Sequence, residues 1–399
     1  MKNKTILFVD HDFGISGSTV SLKYITQKFI SEGWIVYILT SKEKDKRAFF
    51  NLPEERFFLF KSNKFFSMVL ILHIARWSGR FSFSWITNIT KNIIRLIIGL
   101  FISYKVLKKI KPDIVYVNEY VVFQASIIAK LLKIKTVLHV RSQFVNMSNN
   151  VIKKMIANLL YYSSDKIIAI TGTEANQFKN RDKVIVVPEF LNEDNFNEFS
   201  EDSIITIKKK FEIPSNKKIV LMMGGIDKIK GTLTFLESYI HLEKEFSDVI
   251  YILLGGKINN INENEADYYI KVSELLEQFD KKIIYVGATN LILEYLSIAD
   301  IIVSPQELSH FSRPVIEAWA QKKPVITTNL VHSLEYMKDG EDSLFFDVGN
   351  SAQLAEKILC LLKSSNLKDK LALNGYEKAI SNYNSENALN IIVKQCESI

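Results

Sequence analysis

Short apolar runs alternate with longer amphipathic stretches along the whole chain. Between the first two runs, Leu22, Ile25 and Phe29 recur at helical spacing, and Gly33 follows as a helix stop. Buried strands that alternate with helices in this way predict parallel sheets covered by helices on both faces. The strand candidates of the first half are TILFV, WIVYIL, RFFLF, DIVYV, TVLHV, KIIAI and KVIVV.

The same pattern begins again after a polar stretch, NEDNFNEFSEDS, near residues 192–205. The later strand candidates are KIVLMM, VIYILLGG, KIIYVG, IIVSP, KPVITT and SLFF. A chain of 399 residues also suits two domains better than one ordinary core. We therefore expect an α/β fold of two doubly wound Rossmann-like domains, residues 1–195 and 196–399, that face each other across a cleft. Such sheets bind ligands beyond the carboxyl ends of their strands. We expect a last helix near residues 386–398 to pack back on the first domain.

The composition of the chain indicates the cellular compartment of the protein. Hydrophobic residues make up 47% and charged residues 24%, a globular balance. The two cysteines, Cys360 and Cys396, are too few for a disulfide framework and have no Cys or His neighbour at metal-ligand spacing. The first apolar run ends at Asp10 after five residues, which is typical of a buried strand and not of a signal peptide. We expect a cytoplasmic protein.

The net charge of +7 is unevenly distributed. Residues 61–112 contain ten lysines and arginines, no acidic residue, and interleaved aromatic residues such as Trp77, Phe101 and Tyr104. The apolar runs of this stretch are shorter than the roughly 18 residues that span a bilayer. The pattern favours helices lying on an anionic membrane surface, at the inner face of the cell membrane. Core-facing helices with a solvated basic face would give the same composition. No recognised nucleic-acid module accompanies the charge, so we expect no nucleic-acid partner.

One candidate motif is GGIDKIKGT, Gly224 to Thr232, which lies between a predicted strand and a predicted helix. Glycines let backbone N–H groups approach an anion, the helix adds its N-terminal dipole, and Lys230 adds a point charge. The loop is not a Walker A motif, because Lys230 precedes Gly231. A solvated surface lysine is the alternative.

A second candidate motif is SPQELSHFSRPVIEAWAQKKPVI, residues 304–326. Pro314 suits the first position of a helix, with Ser312 as the candidate N-cap. The N–H groups at such a helix start can hold a phosphate. Glu317, one turn into the helix, can accept hydrogen bonds from vicinal hydroxyls such as those of a ribose. A glutamate that only supports the first helical turn is the alternative.

Together, the two motifs resemble those of the retaining glycosyltransferases of family 4, which have the GT-B fold. Lys230-Gly231 matches the family's basic site for the donor diphosphate, and Glu317 falls on its ribose-binding position. PDIVYVN, SDKIIAIT, LLGG and IADIIVSP occur where the family places their equivalents, and FGISGST is similar to its N-terminal glycine loop. The resemblance implies these donor-binding residues: Gly17, Ser18, Gly224, Gly225, Lys230, Ser309, His310, Phe311, Ser312, Arg313 and Glu317.

The chain departs from the family pattern at two donor-binding positions. The family's arginine in the first loop is Gly225 here, so one diphosphate cation is missing. The family's first glutamate, which contacts the donor sugar, falls on Ser309. Glu307, two residues away, is a candidate substitute if the loop bends differently.

A third departure lies in the first half. A histidine that the family often places after the fifth strand falls on Arg141, with His139 two residues earlier. A charged side chain there can offset the missing cation. We therefore name Lys230, Glu317 and Arg141 as the candidate catalytic residues.

Asp10-His11-Asp12 is similar to the Asp-x-Asp metal motif of the other major glycosyltransferase fold. Carboxylates at this spacing can hold a divalent cation that bridges a diphosphate. The motif follows the first strand directly, however, and the rest of the chain does not follow that fold. We expect no required metal and no other cofactor.

The resemblance implies a retaining hexosyltransferase-type enzyme. Its donor is a nucleoside diphosphate sugar, and its acceptor is a glycan or a lipid-linked molecule of cell-surface polysaccharide or glycolipid synthesis. In the mechanism commonly proposed for the family, the departing phosphate oxygen takes the acceptor proton. One alternative is a non-catalytic glycosyltransferase-like subunit that binds a partner enzyme or a nucleotide. Gly225 and Ser309 favour this alternative, whereas Lys230 and Glu317 argue against it. Another is a sugar-nucleotide epimerase on the same fold. No motif encodes the base, the sugar, the acceptor or the linkage.

Overall fold

The computed structural model describes residues 4–11, 17–41, 46–60, 68–70, 83–144, 150–197, 201–256 and 266–399. All thirteen predicted strands are present. The chain divides into two compact units, one formed by residues 1–190 together with 386–399 and the other by residues 191–385. Each unit contains one parallel sheet, as the sequence pattern predicts.

The first unit has a seven-stranded sheet in the order β3-β2-β1-β4-β5-β6-β7. Its strands are β1 (Thr5–Asp10), β2 (Ile35–Ser41), β3 (Phe57–Phe60), β4 (Ile114–Asn118), β5 (Lys135–Val140), β6 (Lys166–Ala169) and β7 (Val184–Val186). Its helices are α1 (Gly17–Ser31), α2 (Lys46–Phe50), α3 (Phe83–Ile110), α4 (Gln124–Leu131), α5 (Asn150–Ser163), α6 (Gly172–Ala175) and, from the end of the chain, α15 (Ser385–Glu397).

The two faces of this sheet are covered by different helices, because successive side chains of a strand point to opposite faces. Ile6 points to the face that α1 and α15 cover, and Leu7 points to the face under α3, α4 and α5. Ile392 and Cys396 of α15 are fully buried in the first of these layers. A buried isoleucine contributes about 1.5–3 kcal/mol, so the last helix is part of the core of the first unit.

The second unit has a six-stranded sheet in the order β10-β9-β8-β11-β12-β13. Its strands are β8 (Lys218–Met223), β9 (Val249–Leu254), β10 (Ile283–Gly287), β11 (Ile301–Ser304), β12 (Val325–Thr328) and β13 (Leu344–Phe346). Its helices are α7 (Glu201–Lys210), α8 (Thr232–Glu243), α9 (Ala266–Gln278), α10 (Ile292–Ile298), α11 (Arg313–Ala320), α12 (Val331–Tyr336), α13 (Ser351–Lys363) and α14 (Ser365–Tyr383).

The strand order of each sheet reverses beside its first strand, between β1 and β4 in one unit and between β8 and β11 in the other. At such a switch point, the loops that leave the two strands diverge to opposite faces and leave a crevice at the carboxyl edge. Because β8 and β11 are neighbouring parallel strands, the loop after β8 begins beside the loop after β11. These two loops are the two motifs found in the sequence.

Within the described residues, no helix combines the length and the apolarity needed to cross a bilayer. The basic stretch predicted to contact a membrane lies partly outside the described residues. Its described part includes α3, a helix of 28 residues that ends with Lys108 and Lys109 in its last turn.

Candidate functional site

Two loops of the second unit meet where its strand order reverses. The first runs from Gly224 to Gly231. Gly231 has a φ of 73°, and a Cβ atom there would lie 1.7 Å from the carbonyl oxygen of Pro305, the residue after β11. Only glycine permits this approach. The N–H of Glu307 also donates to the carbonyl of Ile229 at 2.9 Å, so the two sequence motifs form one local site.

The glycines at the start of this loop use their backbone inside the fold. The N–H groups of Gly224 and Gly225 donate to the carbonyl oxygen of Leu254, at 3.0 and 2.8 Å. Gly225 has a φ of 69°, and a Cβ atom there would lie 2.1 Å from the carbonyl oxygen of Gly256. The position of the family's arginine thus needs glycine for the backbone conformation of this chain. Since these two N–H groups are already bonded, an anion here depends on other donors.

Lys230 and His310 join the two loops through their side chains. The Nζ of Lys230 lies 2.6 Å from Nε2 of His310, and Nδ1 of His310 lies 2.8 Å from the carbonyl oxygen of Leu308. An ammonium only donates and a carbonyl only accepts. These contacts therefore place the imidazole proton on Nδ1 and make Nε2 the acceptor.

The surroundings favour the neutral form of His310. Burial, followed by the positive charge of Lys230, lowers the pKa of His310 to about 3. Burial also lowers the pKa of Lys230, and the negative charge of Asp227 opposes this change. The carboxylate of Asp227 accepts the N–H of Ile229 at 3.0 Å. The hydrogen-bond partner of the Lys230 ammonium is thus an uncharged ring.

Ser309 and Glu307 lie in the same loop as His310. The Ser309 hydroxyl is 2.7 Å from Nδ1 of His332 and accepts the N–H of His332 at 3.1 Å, so it is bonded to the first turn of α12. Glu307 is half-buried, and burial raises the pKa of its carboxyl group while Lys228 opposes the rise. Ser309, which replaces the family's glutamate, thus has partners within its own unit.

The start of α11 agrees with the prediction in the position of Ser312. This residue occupies the N-cap position, but its hydroxyl forms no capping bond and lies instead 2.9 Å from the Ser304 hydroxyl. The predicted N-cap position of Ser312 is therefore confirmed, without a capping bond from its side chain. The N–H of Ser312 donates to the hydroxyl of Tyr336 at 3.2 Å. The ring of Phe311 packs beside Tyr336 with a centroid distance of 4.8 Å. These contacts fix the path of the chain into the helix.

Glu317 and Arg313 form a pair on one face of α11. The Nε of Arg313 donates to Oε1 of Glu317 at 2.7 Å, one helical turn apart. Their side chains are 13% and 15% exposed. A carboxylate held by a planar guanidinium keeps lone pairs on its second oxygen, so Glu317 can still accept a ligand hydroxyl.

A separate group of polar side chains lies at the carboxyl edge of the first sheet. The carboxylate of Asp10 accepts Nζ of Lys46 at 2.6 Å and the hydroxyl of Thr40 at 3.0 Å, and all three residues are buried. Asp10 thus belongs to a buried ion pair. Asp12, the other carboxylate of the Asp-x-Asp motif, lies outside the described residues.

Arg141 follows β5 and is buried among polar partners. Its Nε donates to Oδ1 of Asn118 at 2.8 Å, and its Nη1 donates to Glu189. The other carboxylate oxygen of Glu189 accepts the hydroxyl of Ser21 at 2.6 Å. The charge of the predicted catalytic arginine is therefore balanced by Glu189, which sequence reasoning missed. Ser21 lies one turn after Gly17, so this network reaches the start of α1.

His139 lies deeper than Arg141 and is 2% exposed. Its Nδ1 is 2.6 Å from the hydroxyl of Tyr116 and 3.3 Å from Nη2 of Arg141. Burial, reinforced by the charge of Arg141, lowers the pKa of His139 well below its ordinary value. The imidazole is therefore neutral and belongs to the interior. Of the two candidates at the end of β5, His139 is thus the uncharged one.

Glu119, directly after β4, is the second residue that sequence reasoning missed. Its backbone has φ 100° and ψ 142°, a conformation costing a non-glycine residue about 1–3 kcal/mol. Its carboxylate accepts the N–H of Tyr120 at 2.9 Å and the N–H of Arg141 at 3.2 Å. Burial raises the pKa of Glu119 to about 7, although His11 and Arg141 oppose the rise. The carboxylate thus ties the end of β4 to the end of β5.

Gly17 and Ser18 form the start of α1, with Gly17 exposed and Ser18 half-buried. The loop between them and β1 lies outside the described residues at positions 12–16. Among the residues that the structure describes, no three acidic, histidine or cysteine side chains are placed to hold one metal ion.

Two family models match the chain, one in each half. Residues 15–195 match Glycosyltransferase Family 4, and residues 203–378 match Glycosyl transferases group 1. The spore coat protein SA of Bacillus subtilis (strain 168) is 29% identical over 187 residues, 45% of this chain and 49% of that protein. The lipopolysaccharide core biosynthesis glycosyltransferase LpsE of Rhizobium meliloti (strain 1021) is 22% identical over 182 residues, again 45% of this chain and 49% of that protein. The chain thus spans about half the length of these curated relatives.

The crystal structure of Anabaena Alr3699/HepE in complex with UDP and glucose is similar to the whole chain. Its TM-score is 0.79 at 15% sequence identity, and the match covers 99% of each chain. Together with the two parallel sheets, this likeness confirms the predicted GT-B fold.

Proposed function

We propose that this chain, a group 1 glycosyltransferase with the GT-B fold, is a retaining hexosyltransferase-type enzyme. Its donor is a nucleoside diphosphate sugar. Its acceptor is a glycan or a lipid-linked molecule of cell-surface polysaccharide or glycolipid synthesis. A relative named for lipopolysaccharide core biosynthesis and a structural neighbour in complex with UDP and glucose support this proposal.

The observation that carries the proposal is the Lys230 ammonium. It stands where the loops after β8 and β11 meet, and its hydrogen-bond partner is a neutral imidazole. Negative charge builds up on the diphosphate as the sugar leaves, and a fixed cation stabilises it. Since the N–H groups of Gly224 and Gly225 donate within the fold, we assign the diphosphate contact of this loop to the Lys230 ammonium.

Glu317 has the second role in donor binding. Its position one turn into α11 suits hydrogen bonds to the ribose hydroxyls, and Arg313 orients its carboxylate. In this proposal the acceptor attacks the anomeric carbon from the side of the leaving group, so retention needs no protein nucleophile. The departing phosphate oxygen takes the acceptor proton, so no protein base is needed either. Arg141, the third candidate catalytic residue, lies in the first unit, where Glu189 balances its charge.

The test is calorimetry of the purified full chain with a panel of nucleotides and nucleotide sugars. We expect selective binding of one donor class, with a Kd between about 1 μM and 1 mM. Glu317→Ala should abolish it, whereas Glu356→Ala, which removes an exposed carboxylate from α13, should not. An NMR assignment of the anomeric configuration of the product then tests retention. Absence of binding across the whole panel would instead favour the non-catalytic alternative.

We also propose that the first unit attaches to an anionic membrane surface. Ile93, Ile97 and Phe101 are 53%, 61% and 57% exposed and lie at four-residue spacing on α3. Lys105 continues the same face, and its ammonium lies 4.4 Å from the ring of Phe101. An exposed apolar stripe followed by lysines is typical of helices that lie on a bilayer surface. The outer face of α5 adds three more exposed apolar residues, Met155, Leu159 and Tyr162.

Vesicle sedimentation tests this attachment. We expect binding to vesicles with anionic lipid that weakens at high salt, because each lysine near the surface contributes about 1 kcal/mol. Ile97→Ser with Phe101→Ser should lower the bound fraction several-fold. Leu373→Ser is the matched control, since Leu373 is 53% exposed but belongs to the second unit. Equal loss in the control and the test variant would argue against a role for α3.

A further inference from the structure

We propose that His310 is a positioning residue that holds the Lys230 ammonium in place for the donor diphosphate. The inference rests on the proposed function, since it assumes a nucleoside diphosphate donor. It assigns His310 a role different from the direct donor contact expected from the sequence, because His310 would act through Lys230.

Two hydrogen bonds hold the His310 ring in this arrangement. The carbonyl of Leu308, two residues earlier in the same loop, accepts the Nδ1 proton of His310 at 2.8 Å. That bond holds the ring so that Nε2 points to Nζ of Lys230, 2.6 Å away. A histidine whose second nitrogen is anchored to the backbone presents one defined acceptor.

A neutral acceptor suits this task better than a carboxylate. A carboxylate at 2.6 Å would neutralise the ammonium and compete with the incoming diphosphate. The imidazole accepts one of the three ammonium protons and leaves the full charge and two protons for the ligand. Protonation of the ring would place a second positive charge beside Lys230. Burial disfavours that state and lowers the pKa of His310 to about 3, so the ring stays neutral in the pH range of ordinary assays.

Lys230 needs such an anchor because its side chain is long and flexible. Its own loop is rigid, since Gly231 packs against the backbone of Pro305 and the N–H groups of Gly224 and Gly225 are bonded internally. The ammonium is therefore the movable part of an otherwise fixed site. Holding it in the unliganded protein lowers the ordering cost of donor binding.

A double-mutant cycle in the full chain tests the inference, with UDP, GDP and ADP and the matching nucleosides as ligands. We expect His310→Leu to weaken diphosphate binding about tenfold and to leave nucleoside binding unchanged. His310→Gln, whose amide oxygen can accept from Lys230, should retain most of the affinity. The variant carrying both Lys230→Ala and His310→Leu should bind no more weakly than Lys230→Ala alone, because His310 acts through Lys230.

The outcomes separate this inference from the proposed function. If the wild type binds no nucleotide, the proposed function fails. If the wild type binds a diphosphate and His310→Leu binds it equally well, only the role of His310 is overturned. If the loss of diphosphate affinity in the double variant equals the sum of the two single losses, His310 contacts the ligand directly. That result would also overturn the positioning role of His310.

A measurement without ligand tests the geometry itself. The chain has six histidines, so selective 15N-histidine NMR gives few signals, and His310→Gln identifies the one that disappears. We expect a neutral ring with its proton on Nδ1 from about pH 5 to pH 8. A ring protonated on Nε2, or one that titrates in this range, would contradict the proposed contact with Lys230. Circular dichroism of each variant confirms that it is folded.

Discussion

Glu119 gives the first unit a stability that depends on pH. The residue is 4% exposed, and burial raises the pKa of its carboxyl group from 4.5 to about 7. In the unfolded chain the group titrates near its ordinary pKa. Between these two values the folded protein therefore holds a proton that the unfolded chain has lost. Since the folded state binds more protons, the free energy of unfolding falls as the pH rises through this window.

The size of the effect follows from the two pKa values. Each pKa unit corresponds to about 1.4 kcal/mol, so the whole change is on the order of 3 kcal/mol. The stabilisation is fully present below about pH 4.5 and is lost above about pH 7. Glu119→Gln removes the titrating group but keeps a side-chain oxygen that can accept one of the N–H groups of Tyr120 and Arg141. This variant should lack that part of the pH dependence.

The assay is a urea titration of the full chain at pH 5.0 and pH 8.0, read by hydrogen exchange in peptides from β4 and β5. Such peptides report on the first unit even if the two units unfold separately. We expect the wild type to lose about 2.5 kcal/mol more than Glu119→Gln between the two pH values, because most of the titration lies between them. Glu356→Gln, at an exposed site on α13, should behave like the wild type. Equal pH dependence in wild type and Glu119→Gln would refute the reasoning, because the buried carboxyl group would then titrate as if exposed.

The remaining predictions concern charge and backbone at the two local sites. Lys230→Ala should lower turnover at least tenfold, since one stabilising donor is typically worth about 2.7–4 kcal/mol. Lys228→Ala, the control, should not lower turnover. Unchanged turnover in Lys230→Ala would reject the role assigned to Lys230. Gly225→Arg should not raise activity and should lower the melting temperature, because a φ of 69° and the nearby backbone leave no room for a side chain; a more active, equally stable variant would contradict this. Arg141→Ala should destabilise the first unit by about 3–5 kcal/mol in urea titrations, because the buried Glu189 loses the guanidinium that balances its charge. A loss below about 1 kcal/mol would show that the pair is hydrated.

The sequence was most informative where the signal is local. Each strand is an apolar run bounded by polar residues, so all thirteen could be predicted, and their alternation with helices indicated two parallel sheets. Lys230 and Glu317 could be singled out for the same reason, since each lies in a short motif between a strand and a helix. Whether either binds the donor remains a prediction.

Long-range partners could not be predicted from local patterns. Glu189 contacts Arg141 across 48 residues and Ser21 across 168 residues, and nothing in the sequence around Glu189 marks it. Glu119 follows directly on the matched segment PDIVYVN, and only its backbone conformation and its burial reveal it. The backbone need for glycine at Gly225 likewise depends on Gly256, which arrives from the next strand.

The position of α15 has a consequence for how the protein is made. Ile6 and Phe8 are synthesised before the second unit, yet Ile392 and Cys396, which pack in the same layer, follow the entire second unit in the order of synthesis. One face of the first sheet therefore stays partly uncovered while residues 191–385 are translated. Incomplete chains expose this apolar face and are prone to aggregate. A fragment that ends near residue 190 exposes this apolar face permanently. Separate expression of the first unit should therefore include a linked copy of α15.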